Sequence, residues 1–259
     1  MTTPCPDEFV AFAHRLADAA GAVARRYFRT PVAVDTKADQ SPVTIADREA
    51  ESAMRALIAE RYPAHGVLGE EHGASDTGAD HVWVLDPIDG TKSFISGIPL
   101  FGVLIALLRE GRPILGIIEQ PISRERWLGR AGAPSTLNGA PVKTRACPAL
   151  DQAALFATTP EMFQGADAEA FERLKRRVRL VRHGADCYAA GLLAMGFIDL
   201  MVESTLKPYD YCALVPVIEG AGGTITDWAG RPLGLDSDGR IAAAGDARAH
   251  KAALEALAG

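Results

Sequence analysis

The stretch WVLDPIDGTKSF, residues 83–94, runs an apolar segment into two aspartates three positions apart, then a glycine, a threonine and a helix-like stretch. VWVL at 82–85 reads as a β-strand, which puts Asp86 at its end. Pro87 fixes φ at about −65° and stiffens the turn, so Asp89 comes round toward the same point as Asp86. Carboxylates that close raise one another's pKa unless a cation lies between them, and an all-oxygen set suits a hard metal ion. Gly90 and Thr91 then open a helix, where free N–H groups and the positive dipole end favour a phosphate and glycine lets it approach the backbone. A turn with solvated aspartates has the same local signature, so the reading depends on acids elsewhere in the chain.

Upstream, Phe9, Phe12, Leu16, Ala20, Val23 and Tyr27 recur at three- and four-residue steps and predict an amphipathic helix over Asp7 to Phe28. Pro31 to Pro42 is polar and punctuated; Thr44 then offers an N-cap to a second helix that ends before Pro63. Downstream, VLIALL at 103–108 and ILGII at 114–118 are strand-like runs separated by turn residues, and they belong with 82–85 in one sheet. Ala133 to Pro148 is rich in Pro, Gly, Ser and Thr, and beyond it strand-like and helix-like stretches alternate. These are LFAT, a helix over Ala166–Arg177, VRLV, a strand over Ile198–Glu203, a helix over Tyr209–Ala221 closed by Gly222-Gly223, a strand over Thr224–Trp228 and a helical tail from Asp246. The fold class expected is mixed α/β (α+β), with layers of helix and sheet in one unit and approximate lobes at 1–145 and 146–259.

With 259 residues the chain can bury a large core, and 27 Lys+Arg against 33 Asp+Glu leave a net charge of −6 with no basic stripe for nucleic acid. The longest mainly apolar stretch, Ile98 to Leu108, is too short for a bilayer span, and MTTPCPDEF has no signal-peptide pattern, so no membrane partner is expected and the default compartment is the cytoplasm. Cys5, Cys147, Cys187 and Cys212 lie far apart and fit neither a zinc site nor a disulfide framework. They read as reduced and structural, with a catalytic thiol at Cys187 or Cys212 as the alternative.

Two further segments bear on the aspartates. Glu70-Glu71 ends the short apolar stretch of GVLGEEHG, and Asp210 sits in KPYDYCALVPVIEGAGG among more apolar neighbours than a surface acid needs. A helix-capping role is the alternative for Asp210. GEE, WVLDPIDGTKSF and the Asp210 segment ending in GAGGTITDW resemble, in order and spacing, the three motifs of the inositol monophosphatase family. The resemblance runs from Asp47 to Trp228 and implies a five-layer αβαβα fold, usually a homodimer, with Mg²⁺-dependent, lithium-inhibited hydrolysis of phosphomonoesters.

By that resemblance Glu70 and Asp86, with the Ile88 carbonyl, hold one Mg²⁺, and Asp86, Asp89 and Asp210 hold a second. Glu70 also ranks with the catalytic residues, and Glu71 lies beside a weaker third ion. Thr91 and Asp47 resemble the pair that takes a proton from the activated water; for Asp47 an ordinary helix-start acid is the alternative. Backbone N–H groups of Gly90 and Thr91 bind the phosphoryl oxygens, and attack is in line with no phosphoenzyme.

The substrate is a small phosphate ester, and KSFISGIPLFGVLIALL, GADCYAAGLL and LKPYDYCALVPVIEGAGG resemble the histidinol-phosphatase branch. Tyr209, preceded by Lys207-Pro208, stands where many inositol enzymes carry tryptophan. L-Histidinol phosphate brings an ammonium and an imidazole, for which Asp186 and Glu203 are the candidate contacts. Their alternatives are a helix N-cap for Asp186 and a strand-end charge for Glu203. An inositol-1-phosphate or broad sugar-phosphate monophosphatase is the runner-up. His72, His81 and His183 read as loop or edge residues, and Arg173–Arg179 as the solvated end of a helix.

Overall fold

The computed structural model describes residues 4–36 and 42–259. Asp7–Tyr27 and Ile45–Arg61 are helices with apolar stripes facing the same way, and Thr44 caps the second by accepting from the Ala46 N–H at 3.1 Å. Between them Val34–Thr36 pairs antiparallel with Pro42–Thr44, where the sequence reads as irregular; residues 37–41 of that segment lie outside the described residues.

One sheet has eight strands, in the order Ala140–Pro141, Ala133–Leu137, Glu125–Arg130, Arg112–Gln120, Gly102–Arg109, His81–Asp89, Gly66–Gly69, Gly73–Ser75. Side chains alternate across it with period two. Trp83, Leu85, Val103, Ile105 and Leu107 pack under the first two helices with Phe12, Leu16 and Met54, while Val82, Val84, Leu104, Ala106 and Leu108 face the opposite way. Burial on both faces explains why VLIALL is continuously apolar.

Helices Tyr188–Ala194, Pro208–Tyr211 and Leu214–Gly220 cover that second face and rest in turn on a five-stranded sheet. Its order is Leu180–His183, Ala154–Ala157, Leu200–Glu203, Ile241–Ala244, Thr224–Thr226. The far face of this sheet, with Leu155, Leu200, Val202 and Ala242, packs on helices Ala166–Lys175 and Ala247–Ala258. The result is the helix–sheet–helix–sheet–helix stack of five layers. No helix among the described residues is long and apolar enough to cross a membrane.

Some boundaries differ from the sequence reading. The helix expected over Tyr209–Ala221 is broken at Cys212-Ala213. Pro216 has no N–H, so the Cys212 carbonyl loses its helical donor. The strand expected at VRLV, residues 178–181, lies instead at Leu180–His183. Nor is Asp86-Pro87-Ile88-Asp89 a turn beyond its strand. It continues the strand as an irregularity, with Asp86 opposite Leu104 and Asp89 opposite Gly102, so that three steps on one side match two on the other.

The middle helices come close to the larger sheet because two strand positions carry no side chain. A Cβ on Gly116 would lie 2.0 Å from the Ala213 carbonyl oxygen, and one on Gly129 would lie 2.2 Å from the Pro216 carbonyl. Backbone cannot yield there as a flexible side chain would. Gly116→Ala is therefore expected to cost about 1–3 kcal/mol and lower Tm by about 2–12 °C in a thermal melt. Gly78→Ala, at a position with nothing within 4 Å, should stay within about 0.5 kcal/mol of wild type. Equal melting of the two variants would contradict this packing account.

Candidate active site

The acids singled out in the sequence arrive from two kinds of chain end. Glu70 follows the parallel strand Gly66–Gly69, its N–H donating to the Leu85 carbonyl at 3.2 Å, which sets it beside Asp86. Asp86 and Asp89 lie on the irregular end of His81–Asp89. Asp47 and Asp210 each occupy the third position of a helix and reach back to its start: Asp47 Oδ2 accepts from the Thr44 N–H at 2.8 Å and the Thr44 hydroxyl at 2.6 Å, and Asp210 Oδ2 accepts from the Lys207 N–H at 2.7 Å. Asp210 thus has the capping role weighed in the sequence, Asp47 caps its helix where the sequence offered only a helix-start acid, and each keeps its other carboxylate oxygen for the site.

Carboxylate oxygens of Asp86, Asp89 and Asp210 all lie within 4.8 Å of one another, close enough to share one metal ion. Asp86 is buried, and its pKa stands well above the ordinary range, first through burial and then through Glu70, Asp89 and Asp210. Asp89 is raised by burial, Asp186 and Asp210. Burial also pushes Asp210 up to about 7, with Glu70 adding to the rise and the Lys207 N–H opposing it. Four acids that repel one another in a poorly solvated corner are a hard-oxygen donor set, and its chemistry fits divalent cations.

The Thr91 hydroxyl lies 3.3 Å from Asp47 Oδ1 and 3.1 Å from the Ile88 carbonyl. Asp47 is fully buried, and burial raises its pKa against the opposing bonds from Thr44. Gly90, at φ +82°, makes the left-handed corner between strand and helix that brings Thr91 into this position. Asp186 does not cap a helix. The Ser93 hydroxyl donates to its Oδ2 at 2.8 Å, and the next residue's N–H, Cys187, donates to Asp89 Oδ2 at 2.6 Å. Glu203 is no strand-end surface charge. It is buried, accepts from the Thr158 N–H at 3.0 and 3.1 Å and from the Thr158 hydroxyl at 3.1 Å, and burial pushes its pKa up to about 8, with Asp186 and Asp89 adding to the rise.

Glu51 is a positioning residue that sequence reasoning missed. Fully buried, it accepts from the Glu71 N–H at 2.7 Å, the His72 N–H at 3.2 Å and Arg55 Nε at 2.7 Å, and so fixes the turn that carries Glu70. Its only local mark is the i, i+4 spacing to Arg55, which exposed helix faces show as well. His72 bonds instead to Ser52 and the Arg48 carbonyl, His81 stacks on His65 and His183 leans on Phe171. All four cysteines are free and buried, and burial raises the Cys187 and Cys212 thiols far from thiolate formation. Within the basic run Arg173 is not merely solvated, since it donates to the Ala256 and Leu257 carbonyls at the end of the last helix.

Acids held above their ordinary pKa keep protons that the unfolded chain has already released. The stability of the cation-free protein therefore falls as pH rises from about 4 toward the Asp210 value of about 7. A divalent cation bound by these acids would replace those protons, so a rise in Tm on adding a divalent cation such as Mg²⁺, measured against EDTA, is expected to be larger at pH 8 than at pH 5. The same rise at both pH values would contradict this.

Residues 6–258 match the model of the inositol monophosphatase family. The chain is 52% identical to the chloroplastic bifunctional phosphatase IMPL2 of Arabidopsis thaliana over 97% of its own length and 75% of the relative's. It is 36% identical to a histidinol-phosphatase of Chlorobaculum parvum, over 88% of this chain and 89% of that one. Among solved structures, an inositol monophosphatase from Zymomonas mobilis superposes with a TM-score of 0.90 at 48% identity, covering 97% of this chain and 98% of the other. With motifs, five-layer fold and acidic cluster in agreement, the chain belongs to the inositol monophosphatase family and is a phosphatase of that family.

Proposed function

We propose that this phosphatase is Mg²⁺-dependent and that its principal substrate is L-histidinol phosphate, hydrolysed to L-histidinol and phosphate. The observation that carries the substrate reading is a pair of carboxylates beyond the metal-ligand set. Asp186 and Glu203 lie near enough to raise the Glu203 pKa, and both act electrostatically on or with Asp89. Such a corner suits a leaving group that carries an ammonium or imidazolium and disfavours a neutral polyol. The name of the Chlorobaculum relative supports the same branch. The Zymomonas neighbour supports a second reading, an inositol or broader sugar-phosphate monophosphatase.

Glu70, Asp86, the Ile88 carbonyl, Asp89 and Asp210 would hold the ions. Bound there, divalent cations supply a positive field that acidifies the attacking water and stabilises the departing alkoxide. Asp47 and Thr91 move the proton: Thr91 Oγ takes it from the water as its own proton passes to Asp47 Oδ1. The raised Asp47 pKa brings its carboxylate nearer the range useful to a base. Backbone N–H groups of Gly90 and Thr91 hold the phosphoryl oxygens as their charge shifts in the transition state.

Asp86→Asn is expected to lower Mg²⁺-dependent kcat/KM by more than about a hundredfold, and by more than Asp47→Asn does. An Asp86→Asn enzyme with most of its turnover would remove Asp86 from the metal set. Phosphate release from L-histidinol phosphate, inositol 1-phosphate, fructose 1,6-bisphosphate and adenosine 3′,5′-bisphosphate tests the substrate. A preference for histidinol phosphate of about a hundredfold in kcat/KM, or about 2.7 kcal/mol, is expected. In Asp186→Asn and Glu203→Gln the KM for that ester should rise more than for inositol 1-phosphate. Comparable wild-type rates on several esters would move the reading to a general phosphomonoesterase.

A further inference from the structure

Residues Gly184, Ala185 and Asp186 have φ of +94°, +84° and +45°, so two consecutive side-chain-bearing residues occupy backbone space that normally excludes them. This strained arch is tied down at three places. At its start the Gly184 N–H donates to the Ala157 and Thr158 carbonyls at 3.0 and 2.9 Å, and Thr158 is the residue that holds Glu203. At its end the Cys187 N–H donates to Asp89 Oδ2 at 2.6 Å. At its crest the Asp186 carboxylate accepts from the Ser93 hydroxyl at 2.8 Å, from a helix 93 positions away in sequence.

That bond places the Asp186 carboxylate directly against the phosphate corner. A Cβ on Gly90 would lie 2.7 Å from Asp186 Oδ2 and 2.8 Å from its carboxyl carbon, so the corner has room for this carboxylate only because residue 90 is glycine. Burial raises the Asp186 pKa, and the Ser93 hydroxyl and the Lys92 charge oppose that rise and favour the carboxylate form. An anionic side chain held this close to a phosphate site repels a dianionic ester unless the ester brings a compensating cation of its own.

We propose that Ser93 is a positioning residue for specificity: by latching the 184–187 arch it holds Asp186 over the Gly90–Thr91 corner, so that esters with a cationic leaving group are selected over neutral ones. The role in selection rests on the substrate reading above, whereas the latch itself does not. Ser93 acts through Asp186, to which its hydroxyl donates.

The test compares wild type, Ser93→Ala, Ser93→Thr, Asp186→Asn and the Ser93→Ala/Asp186→Asn double variant, all loaded with Mg²⁺. Amide hydrogen exchange over residues 184–188 reads the latch, and kcat and KM for histidinol phosphate and inositol 1-phosphate read selection. Ser93→Ala is expected to speed exchange in that segment and to reduce kcat/KM for histidinol phosphate about tenfold, mainly through KM, with Ser93→Thr restoring both. In the Asp186→Asn background Ser93→Ala should add less than about twofold, since the group it positions is gone. Unchanged exchange in Ser93→Ala overturns the latch whatever the substrate. Faster exchange with an unchanged preference, in an enzyme whose wild type prefers the cationic ester, overturns the role in selection. A wild type without that preference overturns the substrate reading and leaves exchange to decide the latch.

Discussion

Carboxylates do not gather in a half-dry corner unless something holds them there, because each ionised member raises the cost of ionising the next. In this protein the holding is done by backbone. Asp86 and Asp89 are fixed by an irregular strand end paired with Leu104 and Gly102, Glu70 by a parallel neighbour, and Asp210 by a bond to the start of its own short helix. These supports are backbone N–H groups and strand pairing. The charge is therefore left for whatever binds there, and the raised pKa values of Asp86, Asp89 and Asp210 express that unmet demand.

The layered architecture makes this arrangement possible. Strand ends from both sheets and the starts of helices from two layers open on one place: Asp86, Asp89 and Glu70 come from the larger sheet, Glu203 and Thr158 from the smaller, and Asp47 and Asp210 from helix starts. Close contact between layers, with Gly116 and Gly129 admitting the middle helix, brings the acids of the larger sheet near Glu203 of the smaller. The Asp186 segment links them, since the Cys187 N–H donates to Asp89 and the Asp186 side chain lies against Gly90.

Much of the site is legible from local pattern, because strand, proline, aspartate and glycine in WVLDPIDG each have a physical consequence within a few residues. The layered fold follows from the apolar alternation in the same way. What local pattern does not carry is the partner of a buried polar group. Glu51 looks like any helix-face acid until the Glu71 and His72 amides are seen to converge on it, and nothing near Ser93 points to an aspartate 93 positions later. For Asp186 the sequence offers a substrate contact with a helix cap as the alternative, and only the tertiary bond from Ser93 removes the cap. The split of the 208–220 segment is a different case: Pro216 was visible in the sequence, and the apolar run around it masked the break.

The central claim is that the acidic corner is a site for divalent cations, and crystals grown with Mn²⁺ would test it most directly. Anomalous difference density is predicted between Asp86, Asp89 and Asp210, and near Glu70 and the Ile88 carbonyl, with metal–oxygen distances of about 2.0–2.2 Å. Density elsewhere on the molecule, with none between these three aspartates, would contradict the account.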